Sequence, residues 1–105
     1  KKIMNVVGGD FMQKNDTTGN ACYTIDGGKT WILPEKAPSG YRSCVEFIKN
    51  NSWITCGLNG VDETDNDGKT WQKISNNSFH VVRKAKKGKA IFLAGNNGHI
   101  GRLEN

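Results

Sequence analysis

Tyr41-Arg42 and Phe79-His80 each set an aromatic ring beside a nitrogen base, and the two pairs lie 38 positions apart. A ring next to a cation can hold an acidic or carbohydrate group, by attraction to charge and by apolar contact. Asn59 and Asn97 each precede a glycine, keep the same 38-residue offset, and add amide donors and acceptors. Tyr41, Arg42, Phe79, His80, Asn59 and Asn97 are therefore the candidate ligand-binding residues. A second use stays open for the rings: Tyr41 and Phe79 can simply pack between neighbouring structural units. No residue has the setting of a catalytic group. Two histidines without clustered carboxylates offer no metal site, and Cys22, Cys44 and Cys56 are odd in number and lack ligand spacing. No cofactor is expected.

The elements that must position these residues repeat. Tyr41 to Gly60 lies over Phe79 to Gly98 without a gap, so that Gly57 meets Gly95, Asn59 meets Asn97 and Gly60 meets Gly98. A second repeat pairs T-I-D-G-G-K-T-W at Thr24 to Trp31 with T-D-N-D-G-K-T-W at Thr64 to Trp71, 40 positions on. Its residues suit a tight hairpin loop. Asp26 can accept from amides of its own turn, Gly28 and Gly68 can take positive φ, and Thr30-Trp31 and Thr70-Trp71 begin a strand. Asn66 stands where the first copy has Asp26 and can accept through its amide oxygen without charge. Trp31 and Trp71 are expected to be equivalent anchors in successive stacked units.

Strands are predicted at 3–8, 21–25, 30–33, 42–49, 52–57, 61–64, 70–74, 80–85, 90–94 and 99–103. Turn signals separate them, and no sustained 3.6-residue apolar period calls for a helix. A repeat near 40 residues built of four strands has the length of a propeller blade. The fold expected is all-β, a partial propeller of about two and a half four-stranded antiparallel blades, with blade parts at 1–33, 41–75 and 79–105. A polar loop at 11–19 interrupts the first.

The motif Ser/Thr-x-Asp-x-Gly-x-Thr-Trp resembles the Asp box of the bacterial neuraminidase repeat. With G-L-N-G at 57–60 and G-N-N-G at 95–98, the chain is similar to the propellers related to photosystem II assembly factors and, more distantly, to sialidases. In those families the motif is structural, which implies that role for Thr24, Asp26, Gly28, Thr30, Trp31, Thr64, Asn66, Gly68, Thr70 and Trp71. The resemblance implies a bacterial binding or scaffolding module for a protein or glycan. The alternative is a fragment of a sialidase-like glycoside hydrolase, which would need an arginine cluster, a Tyr/Glu pair and an acid–base Asp. Arg42, Arg83 and Arg102 do not fall together in the repeat frame, and neither Tyr23 nor Tyr41 has an evident Glu partner.

Bulk composition sets further bounds. Hydrophobic residues make up 35% and glycine 13 of 105 positions, which together reach the ordinary globular range and exclude disorder. Two and a half blades cannot close a ring. The chain is therefore expected to be the C-terminal part of a longer propeller, or to self-associate if complete. Net charge is +5, much of it in Arg83 to Lys89, which reads as a solvated hairpin. Without interleaved aromatics, nucleic acid is not an expected partner. No membrane span is seen, and a periplasmic or extracellular location is expected ahead of a cytoplasmic one. If Asn50-Asn51 is a two-residue turn, Lys49 opposes Ser52 and Cys44 opposes Gly57. Cys56 would then face away from Cys44, and the cysteines would be small buried hydrophobes.

Overall fold

A computed structural model of the chain describes residues 2–9, 19–95 and 98–104. The described residues form three antiparallel sheets and no α-helix. The first pairs β1 (Met4–Val7) with β2 (Ala21–Thr24). The second runs β3 (Cys44–Lys49), β4 (Ser52–Gly57), β5 (Gly60–Thr64) and β6 (Gln72–Ser75), in that spatial order. The third runs β7 (Val81–Lys84), β8 (Ala90–Ala94) and β9 (Ile100–Glu104). The second and third sheets are meanders of neighbours in sequence with short connections, whereas thirteen residues separate β1 from β2. Nine of the ten predicted strands are present. The tenth, 30–33, is reduced to one bridge, in which Tyr23 and Ile32 exchange backbone bonds of 2.9 and 2.8 Å. Pro34 has no N–H to extend that ladder.

The main core lies between the second and third sheets. Ile48, Ile54 and Val61 from one side meet Val82, Ile91 and Leu93 from the other. β7 packs on β3 and β4, and β1 on β3. Backbone bonds tie the sheets as well, with Arg42 N donating to Gly8 O and Phe79 N to Gly57 O. The repeated glycines have a steric cause here. A Cβ on Gly57 would collide with Tyr41 O and one on Gly95 would come within 2.8 Å of Ser78 O, so the segment entering each sheet needs a bare backbone beneath it.

Two expectations are corrected. The β3–β4 turn does pair Lys49 with Ser52, but the register shifts between Phe47 and Lys49, and Cys44 lies directly opposite Cys56. The shift leaves Ile48 as the extra, buried residue on β3, and it returns both cysteines to one face. Trp31 and Trp71 are also not in equivalent surroundings, being 45% and 1% exposed. Segment 35–36 covers the second loop through Glu35 N to Lys69 O and Trp71 N to Lys36 O. Among the described residues no bond of that kind reaches Trp31.

Candidate functional site

The two eight-residue loops hold themselves together in the same way. In the first, Thr24 Oγ1 donates to Asp26 Oδ1 at 2.7 Å and accepts from Gly28 N at 3.0 Å. Asp26 then accepts from Lys29 N, Thr30 N and the Thr30 hydroxyl, the last at 2.6 Å. These donors, the Thr30 hydroxyl foremost and then Thr30 N–H, hold the Asp26 carboxyl well below the usual carboxylate range. In the second loop Thr64 donates to Asn66 Oδ1 at 2.7 Å and accepts from Gly68 N at 3.1 Å. Thr70 N again donates to the Asn66 oxygen, but the Thr70 hydroxyl now accepts from Asn66 Nδ2 at 2.7 Å. The amide thus keeps the loop's shape by reversing one hydrogen bond. The eight loop positions other than Asp26 and Asn66 serve this frame: the glycines turn it, the threonines bond within it, and the tryptophans leave it.

The candidate ligand residues are divided by the fold. Tyr41, Arg42 and Asn59 come together where the segment before β3 crosses the β4–β5 turn. Arg42 has no exposed surface. Its Nε donates to Asp62 Oδ2 at 2.7 Å, and its Nη2 reaches the same oxygen and Ser39 Oγ. Its Nη1 donates to Tyr41 O at 2.8 Å and to Asn59 Oδ1 at 2.6 Å. All five guanidinium N–H groups are thereby spent within the chain. Asp62, 1% exposed, also accepts from Ser39 N, and Asn59 Nδ2 donates to Ser39 O. Sequence reasoning counted Arg42 among the ligand-binding residues; the structure closes it into a buried ion pair that pins segment 38–42 onto β5. Asp62 and Ser39 were missed, because nothing in their local sequence marks them as its partners.

Phe79 and His80 lie at the start of the third sheet. Phe79 is 4% exposed and stacks on His99, ring centroids 5.0 Å apart, so it packs rather than faces a ligand. His80 is half-buried; its carbonyl accepts from Ser43 Oγ at 2.7 Å, a further tie between the segments entering the second and third sheets. Asn97 lies outside the described residues.

Among the described residues no three of His, Cys, Asp and Glu are grouped so as to hold a metal ion. No helix among them is long and apolar enough to cross a membrane. Apolar side chains are exposed on the first sheet and its loop, with Val6 at 49% and Leu33 at 71%.

No protein-family model and no curated protein matches the chain. Among solved structures it is similar to the crystal structure of the computationally designed Ika4 protein, with 10% sequence identity and a TM-score of 0.58. That likeness covers 88% of this chain but 58% of the designed one, so this chain spans little more than half of its length. At such identity the likeness is one of fold alone.

Proposed function

We propose that the chain is a sector of an Asp-box β-propeller, related to the photosystem II assembly factor-like and sialidase-like repeat proteins, and that it is a non-catalytic binding or scaffolding module for a protein or glycan. The observation that carries the non-catalytic part is the closure of Arg42. A sialidase-type site needs guanidinium groups open to a substrate carboxylate, whereas every donor of Arg42 is taken by Asp62, Ser39, Asn59 and Tyr41 O. Support for the propeller comes from the four-strand meander of the second sheet, its three-strand counterpart in the third, and the matching loops. The smallest principal extent is 18 Å, about one strand length, as expected of sheets standing side by side in a ring.

The exposed apolar residues of the first sheet, Val6 and Leu33 above all, support contact with further protein. Half-buried Tyr41, Asn59 and His80 are, among the described residues, the candidate ligand residues left with accessible surface. Incubation with a fluorogenic sialoside, beside binding titrations with sialylated and neutral oligosaccharides, tests the reading. No turnover is expected, with any glycan binding weakened by Tyr41→Ala or His80→Ala. Steady hydrolysis of the sialoside would overturn the non-catalytic assignment.

A further inference from the structure

Cys44 on β3 and Cys56 on β4 are direct cross-strand partners, and both are free thiols. Opposed residues of an antiparallel pair share a face, with Cα atoms about 4.5–5.5 Å apart, inside the roughly 4.4–6.8 Å that a disulfide spans. Their settings differ. Cys56 has no exposed surface, whereas Cys44 is partly exposed at the seam with the third sheet. Cys44 Sγ donates to Val82 O at 3.5 Å and accepts from Arg83 Nη1 at 3.1 Å. A cation set against the sulfur is a mark of reactive cysteines. Arg42 also acts on Cys56, and Glu46, which accepts from Lys84 N, acts on Arg83. Cys22, opposite Val6 on the first sheet, has no such partner.

We propose that Cys44 and Cys56 are a peroxide-responsive dithiol, a modification site in which Cys44 attacks and Cys56 resolves. The Cys44 thiolate takes one peroxide oxygen, breaking the O–O bond and releasing hydroxide, to give a sulfenic acid. The Cys56 sulfur then attacks the Cys44 sulfur; the S–O bond breaks and the oxygen leaves as water. In sum, two thiols and one hydrogen peroxide give one disulfide and two waters. Burial, with Cys44 next, pushes the Cys56 thiol up to about 12, so Cys56 attacks as the thiol and its proton leaves with the sulfenic oxygen as water. The bridge draws Cys44 Sγ toward β4 and away from Val82 and Arg83. Oxidation therefore loosens the contact between β3 and β7, an effect that does not depend on the propeller assignment.

The test uses the reduced full chain, exposed to hydrogen peroxide, quenched by alkylation and mapped as peptides. One cross-link of Cys44 to Cys56, two hydrogens lighter, is expected, with Cys22 alkylated. Cys56→Ser should instead leave Cys44 as a sulfenic acid trapped by dimedone. Arg83→Met should slow Cys44 alkylation several-fold at neutral pH. Amide exchange at Val81–Lys84 should quicken on oxidation. Recovery of both cysteines alkylated after peroxide, or a bridge to Cys22, overturns the pair. An unchanged alkylation rate in folded Arg83→Met overturns the role given to the guanidinium.

Discussion

The loops at 24–31 and 64–71 share their threonine, glycine, lysine and tryptophan positions and most of their internal hydrogen bonds, yet they sit in different worlds. The first is anchored by a carboxylate, and its indole is 45% exposed. The second is anchored by an amide, its indole is 1% exposed, and its turn is clamped by neighbours on two sides. Asn5 Nδ2 donates to Asp67 O at 3.1 Å and Trp53 Nε1 to Asp67 Oδ1 at 3.1 Å. The comparison separates two things that a sequence motif runs together. Local shape comes from bonds within eight residues; the energetic weight of each position comes from what the rest of the chain lays over it.

The largest effect should come from the indoles. Trp71→Ala is expected to cost about 3–5 kcal/mol through the cavity it leaves, while Trp31→Ala should cost under about 1 kcal/mol because water already covers much of the ring. Urea unfolding of the two variants checks this, and equal losses would erase the contrast. The glycines come next. At Gly68, φ is +94° and an added Cβ would run into the Asn5 side chain. At Gly28, φ is +97° but the nearest atoms, on Met4 and Trp31, are 3.5 Å away. Alanine should therefore cost about 1 kcal/mol at Gly28 and clearly more at Gly68, read from the same unfolding curves.

The smallest effect concerns acid. Because the folded-state value of Asp26 is depressed, its contribution to stability is complete above the ordinary carboxylate value of about 4 and is lost as pH falls through the folded one. Asp26→Asn should flatten the fall in unfolding midpoint below about pH 4 and let Thr30 accept as Thr70 does. Asn66→Asp should steepen it. Identical acid profiles for wild type and Asp26→Asn would show that the carboxylate is not the group that matters.

Much of the strand layout was legible, because turns such as Asn50-Asn51 and Asn59-Gly60 punctuate short apolar runs and the repeat checks one sheet against another. The site was far less so. Arg42 and Phe79 carry the same sequence signal as Tyr41 and His80, and only burial separates the first two from the others. Asp62 lies on another strand, 20 residues from the guanidinium it neutralises. The shift at Ile48 leaves no compositional mark either, and one residue of slip was enough to hide the facing cysteines.

From its residues alone, this chain is committed to short antiparallel strands and to two self-bonded loops, since propensity, turn chemistry and Asp or Asn acceptors act over a few neighbours. Tertiary packing decided which tryptophan is buried, which arginine is locked and which cysteines meet. Those outcomes depend on segments far apart in sequence arriving at one place, and no local pattern encodes that arrival.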